Sequence, residues 1–219
     1  MFEILYNFCG WNKKLFVIIN SYSNIGILPY CLRMLTELFD IINFACGCAA
    51  LIVYFYIKLQ RISSPFEHQK QFWSVYNRLT RICVIYVVFG LVYSLLKFLV
   101  NLPRPFCSLP NDNFMTIADV TTARCLSSFP SAHTGLALLT VYCTWSYLNL
   151  FQKIAASGIL LLVGLSRITL AMHYPADVIY SSPIAVLVII IGNAAYQYKY
   201  HVIQRIGTDI YKQILLYKK

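Results

Sequence analysis

The chain of 219 residues is 59% hydrophobic and only 12% charged, with mean hydropathy +0.63 and formal charge +10. Soluble domains carry about 25% charged residues, so this balance excludes an ordinary water-soluble domain and makes lipid the main solvent. The positive charge does not point to nucleic acid, because Lys and Arg fall in short clusters between apolar runs, a membrane-topology pattern.

The first residues lack the basic stretch and adjoining apolar core of a cleavable signal peptide, and Glu3 comes early. Residues 15–32 carry no charge, but the polar residues 20–24 and Pro29 interrupt them. Such a segment reads as a short interfacial helix or a helical hairpin lying on the membrane. A crossing there would need its polar groups satisfied inside the bilayer. Five later segments are apolar enough to cross about 30 Å of hydrocarbon at about 1.5 Å per residue. They are residues 41–57, 82–102, 134–151, 154–172 and 178–198, with Lys97 and Arg167 their only charges. The expected fold class is therefore all-α, a polytopic membrane helix bundle of five transmembrane helices, six if 15–32 also crosses. Residues 1–40 form its N-terminal interfacial segment, 41–200 its transmembrane domain and 201–219 its basic tail.

Charge sets the expected orientation. With five spans, Lys58, Arg61, Lys70, Arg78, Arg81, Lys153, Lys199, Arg205, Lys212, Lys218 and Lys219 share one side, eleven of the 18 Lys and Arg. The side of the 101–129 loop holds Lys13, Lys14, Arg33 and Arg124 besides Lys97, Arg104 and Arg167. The positive-inside rule places the first set, with the tail, in the cytoplasm and the loop in the periplasm or exterior.

Charge inside a membrane segment is expensive, so it reads first as functional. Lys97, Arg104 and Arg167 all fall at the loop-side boundary, level with His133, His173 and Asp177, whereas His68 and His201 fall in charged flanks and read as surface residues. Pro103 and Pro105 end the helix after Lys97 and leave Arg104 on the exit turn. Phe129-Pro130-Ser131-Ala132-His133 opens the next span, with Pro130 near the first helical position. Its free backbone N–H groups and the Ser131 hydroxyl make an anion site. Three cations converging on a helix start suit a doubly charged phosphate better than a carboxylate. Of the histidines, His173 has Asp177 one turn away to orient its ring and stabilise positive charge, as in a serine-protease triad. His173 is therefore the nucleophile, and His133 is left to protonate the leaving group and later activate water. Taken singly, each of these residues has an ordinary reading as packing, anchoring or helix-end residue. Their recurrence at one membrane depth does not.

Lys97-(six residues)-Arg104-Pro105, Pro130-Ser131-Ala132-His133 and Ser166-Arg167-(five residues)-His173-(three residues)-Asp177 resemble the three signature motifs of the phosphatidic acid phosphatase type 2 superfamily. The resemblance covers about residues 40–198, and 15–20 look similar to the family's short N-terminal helix. It implies that His173 becomes phosphorylated, Asp177 orients it and His133 protonates the leaving group. It also implies that Lys97, Arg104, Ser131, the amide of Ala132 and Arg167 hold the phosphate, with no metal or cofactor. Ala132 stands where the family has Gly, which keeps the backbone N–H and slightly tightens the pocket. The implied partner is a lipid phosphate within the membrane. Among head groups, undecaprenyl pyrophosphate comes first by the compact resemblance alone, then phosphatidylglycerophosphate, phosphatidate and lipid A.

Cys107 and Cys125 bracket the loop and form a candidate disulfide, with Cys9 and Cys31 a second, while Cys46 and Cys48 read as small packing residues. A vanadium haloperoxidase would share the site, but those enzymes are soluble and much longer. A lipid-binding relative would lack the histidines or the lysine, and a transporter would spread polar residues over several depths. A reporter fused after Lys219 is expected to read as cytoplasmic. An extracytoplasmic signal there would require a sixth span or the reverse orientation.

Overall fold

Helix ends are set by local signals that the apolar runs overlay. In the computed structural model, which describes residues 2–117, 120 and 123–217, the chain forms ten α-helices and, among the described residues, no strand. They are α1 (Phe2–Asn7), α2 (Trp11–Ser23), α3 (Leu28–Glu37), α4 (Ile41–Gln60), α5 (Pro65–Val100), α6 (Pro105–Ser108), α7 (Ala132–Thr144), α8 (Leu150–Thr169), α9 (Pro175–Tyr198) and α10 (Tyr200–Tyr217). Lys218 and Lys219, counted above in the cytoplasmic set, lie outside the described residues.

Four helical runs are long and apolar enough to cross a membrane, namely Ile41–Gln60, Pro65–Ser108, Leu150–Thr169 and Pro175–Tyr198. The pair Ile4–Ser23 and Leu28–Glu37, bent by 110°, adds a fifth if it counts as one span. The protein is thus an all-α membrane protein. Three boundaries differ from the hydropathy reading. Helix α5 starts at Pro65, not at 82, because Ser64 accepts the first amides, Glu67 N on its hydroxyl at 3.5 Å and His68 N on its carbonyl at 2.9 Å. The expected span 134–151 becomes α7, of 13 residues, followed by a 3-10 turn at Trp145–Tyr147. Asn149 and Gln152 then form a reciprocal capping box that starts α8 at Leu150, before the expected 154.

The chain divides into two compact units, residues 1–43 with 91–186, and residues 44–90 with 187–219. In the first unit, polarity runs opposite to that of a soluble domain. Phe98, Leu91 and Leu161 are exposed, while Asn12, Asn20, Ser128, Ser131, Ser166, Arg167, His173, Asp177 and Ser181 are buried. Lipid solvates apolar surface at no cost, so the interior is left for groups that satisfy one another. A small apolar cluster of Phe16, Leu109, Ile168 and Ala171, with Phe106 and Tyr174 against it, packs α2 under the turn between α8 and α9.

In the second unit, Arg81 Nε donates to Asn193 Oδ1 at 2.6 Å, Tyr76 donates to the Ile203 carbonyl at 2.7 Å, and Gln204 donates to Asn77 Oδ1 at 2.6 Å. His68, read above as a surface residue, is buried, with Nδ1 3.2 Å from the Tyr211 hydroxyl; Phe72 and Tyr211 enclose it because α10 covers that face of α5. Cys46 is exposed on α4, not packed. Gly192 lets α9 approach α5 so closely that a Cβ there would lie 2.8 Å from the Ile85 Cα. Gly192→Leu is expected to cost about 1–3 kcal/mol through overpacking, read as a lowered thermal midpoint in detergent. An unchanged midpoint would show that the two helices separate freely.

Candidate active site

All eight residues singled out from the sequence, Lys97, Arg104, Ser131, Ala132, His133, Arg167, His173 and Asp177, belong to the first unit. They come from four places in the chain. Lys97 ends α5, and Arg104 follows in extended backbone (φ −79°, ψ 155°) between α5 and α6, as the flanking prolines require. Ser131 is the N-cap of α7, and Ala132 and His133 are its first residues. Pro130 precedes that cap and joins Phe129 through a cis peptide bond, so it stands outside the helix and not in its first turn. Arg167 lies in the last turn of α8, and His173 and Asp177 flank the start of α9.

The turn carrying His173 is built by the chain around it. Ala171 takes a left-handed φ of +55°, and the amides of Met172 and His173 both donate to the Arg167 carbonyl at 3.1 Å. Pro175 opens α9, and the Asp177 carboxylate accepts the Tyr174 amide at 2.8 Å, half of a capping box. Asp177 Oδ2 also lies 3.5 Å from His173 Nδ1, which leaves Nε2 as the ring nitrogen turned from the carboxylate. Both side chains are buried. Burial pushes the His173 imidazole down to about 3 from 6.5; Lys97 and Arg167 push the same way, and Asp177 opposes them. The ring is therefore neutral at ordinary pH, the form in which a ring nitrogen can attack phosphorus.

The cations face the same space. Lys97 Nζ donates to the Ser127 carbonyl at 2.9 Å, and Arg104 Nη1 lies 3.4 Å from the Met172 sulfur. The Nε atoms of Arg104 and Arg167 are both buried with no hydrogen-bond partner among the described residues. Orphaned guanidinium donors beside one another are costly unless an anion joins them. The amides of Ala132 and His133 lie at the start of α7, where no preceding turn supplies an acceptor. The Ser131 hydroxyl meets Thr134 Oγ1 at 3.0 Å, and its backbone is held on both sides, its amide by the Asp177 carbonyl at 3.2 Å and its carbonyl by Ser181 at 2.6 Å. Among the described residues no group of three or more His, Cys, Asp or Glu side chains converges as a metal site would.

The loop before α7 is tied to the Arg104 segment. Arg104 N donates to the Cys125 carbonyl at 2.7 Å and Ser128 N to the Leu102 carbonyl at 2.9 Å. Cys107 and Cys125 are joined as a disulfide with Cα atoms 5.5 Å apart and a sequence separation of 18. Closing a loop of that length removes about 3 kcal/mol of denatured-state entropy. Cys9 and Cys31, the second candidate pair, are both free and exposed, since the bend after α2 carries α3 and its Cys31 away.

Residues 78–201 match the PAP2 superfamily. The chain belongs to that superfamily. It is accordingly a membrane phosphatase, a hydrolase of phosphoric esters, and its substrate is a lipid phosphate. Among curated proteins no match is found. Among solved structures the PAP2 chain is similar to the Aquifex aeolicus LpxE crystal structure. The TM-score is 0.62 at 19% identity, over 82% of this chain and 92% of that one, a likeness of fold.

Three residues of this PAP2 site escaped the sequence reading. Tyr6 donates to Asp177 Oδ1 at 2.7 Å and Ser128 to Oδ2 at 2.5 Å. Asn12 accepts the Ala176 amide at 3.0 Å. Ser128 lies just before the second motif, whereas Tyr6 and Asn12 lie far from all three motifs, and none of these residue types is rare enough to be a signal. Tyr6→Phe removes one hydrogen bond to a buried carboxylate, about 1.5–3 kcal/mol. Steady-state kinetics are expected to show kcat lowered about tenfold or more with KM little changed. A rise in KM alone would place Tyr6 in substrate binding instead.

Proposed function

We propose that the enzyme hydrolyses its lipid phosphate through a phosphohistidine formed on His173 Nε2. The observation that carries this reading is the neutral, buried His173 held against Asp177, with the buried Nε atoms of Arg104 and Arg167 left without a hydrogen-bond partner among the described residues. In the first step the phosphorus accepts an electron pair from Nε2, and Asp177 offsets the charge that develops on the ring. Lys97, Arg104 and Arg167, with the Ser131 hydroxyl and the Ala132 amide, hold the phosphoryl oxygens and stabilise charge as it spreads. His133 gives its proton to the departing lipid oxygen and then takes one from the water that cleaves the phosphohistidine. The pattern of Lys and Arg supports a site open to the periplasm or exterior, with the C-terminus in the cytoplasm.

Undecaprenyl pyrophosphate is the leading candidate substrate, supported by the compact family resemblance alone. Phosphatidylglycerophosphate, phosphatidate and lipid A are the alternatives. The choice among head groups rests on the 106–129 loop and the N-terminal segment. A side-by-side phosphate-release assay on these four lipids with solubilised protein ranks them. His173→Ala is expected to lower release by at least about a thousandfold on all of them, and Lys97→Ala by roughly a hundredfold. Label from a phosphate-labelled lipid, trapped on the protein at any residue other than His173, would overturn the assignment.

A further inference from the structure

Asp40, in the connection between α3 and α4, belongs to none of the three motifs, yet its carboxylate faces the site. Oδ1 accepts the Ile42 amide at 2.9 Å and so caps α4, which fixes the group in place. Oδ2 points the other way and lies 3.9 Å from His133 Nε2. The charge of Asp40 also reaches Arg167. The other charged or titratable groups facing His133 are Arg167 from α8, His173 from the turn before α9, Lys97 from α5 and Arg104 after it. Asp40 is therefore the one carboxylate among these groups.

This matters because a general acid must carry its proton when the substrate is bound. Lys97, Arg104 and Arg167 bring three positive charges, Asp177 one negative charge and a phosphomonoester dianion two more. Those six already balance, so a proton on His133 would be an unpaired charge in a buried site. Asp40 adds one more negative charge, and a protonated His133 then restores neutrality. A separation of 3.9 Å is too long for a hydrogen bond, so the carboxylate attracts the proton to Nε2 without capturing it.

We propose that Asp40 is a positioning residue for the leaving-group proton, keeping His133 protonated in the substrate complex. The inference rests on the phosphohistidine reading above. In the step concerned, the bond from phosphorus to the lipid oxygen breaks and its electron pair stays on that oxygen. The oxygen takes the proton from His133 Nε2 while a phosphorus–nitrogen bond forms at His173. The dependence on Asp40 scales with how badly the leaving oxygen needs the proton. It is large for an alkoxide such as diacylglycerol, smaller for a lipid diphosphate and smallest for a nitrophenolate.

The test compares wild type, Asp40→Asn and Asp40→Glu on dioleoyl phosphatidate and on p-nitrophenyl phosphate across pH. Asparagine keeps an oxygen to cap α4, so the fold is spared while the charge goes. With Asp40→Asn, kcat on phosphatidate is expected to fall by about tenfold or more near neutral pH, with its alkaline limb moved about one unit toward acid. The loss on p-nitrophenyl phosphate is expected to be several-fold smaller, and Asp40→Glu should restore part of the phosphatidate rate. Equal losses on both substrates, or no loss on either, would overturn the role of Asp40 alone. A wild-type enzyme that forms no phosphohistidine at His173 would overturn the underlying reading, and the role of Asp40 with it.

Discussion

A carboxylate with no exposure sits at the centre of the first unit, and most of what surrounds it exists to satisfy it. Asp177 has 0% accessible surface, and an ion withdrawn from water costs several kcal/mol unless charge and hydrogen bonds replace the solvent. Three groups donate to it, two of them from distant parts of the chain. Tyr6 reaches it from α1, Ser128 from the loop before α7 and the Tyr174 amide from its own helix start, while His173 Nδ1 lies 3.5 Å away. The N-terminal helices are therefore not an accessory to the spans. Asn20 repeats the same service at the end of α8, donating to the carbonyls of Thr169 and Met115 at 2.9 Å while accepting the Met115 amide at 2.7 Å. Such contacts support the His173 turn from beneath, as the nucleophilic role proposed for it requires.

The cations are left in the opposite condition. Among the described residues, the buried Nε atoms of Arg104 and Arg167 have no partner and Lys97 Nζ donates to the Ser127 carbonyl. The Asp177 oxygens are taken by other donors, so its charge acts on Lys97 and Arg104 only through space. The site is thus assembled as separated halves, a satisfied carboxylate that orients a neutral imidazole and unsatisfied donors that await an anion. Because the supporting contacts are fixed before the phosphate arrives, little reorganisation is needed during reaction. The Cys107–Cys125 bond and the backbone pairs from Leu102 and Arg104 to the facing loop hold the donor half at its register.

Much of the site was legible in the chain because its residues lie at helix ends with short, fixed spacing. A histidine four residues before an aspartate across Pro175 can hardly do otherwise than meet it, and Pro103 and Pro105 oblige Arg104 to leave the helix. The helix limits were less legible. Hydropathy marks the lipid-crossing part of α5 and misses its start, where Ser64, Pro65 and Glu67 are a start signal independent of apolarity. The same holds for Asn149 and Gln152, which break the expected span 134–151 at a point where the surrounding residues remain apolar. His68 read as surface because its neighbours in sequence are charged, whereas α10 covers it in the fold.

What the sequence by itself determined is the solvent, the helical class and the family's motifs, all of which depend on composition or on residues within a turn or two of one another. Only the tertiary structure decided who completes the site. Tyr6 meets Asp177 across 171 residues, and Asp40 meets His133 from a connection with no motif of its own. Ser128 and Asn12 join them in the same way. The reason is physical. Inside a membrane protein a buried charge takes its partners from whichever helix the packing brings within 3 or 4 Å, about the reach of a hydrogen bond or close ion pair. That choice leaves no periodicity or spacing along the chain from which it can be read.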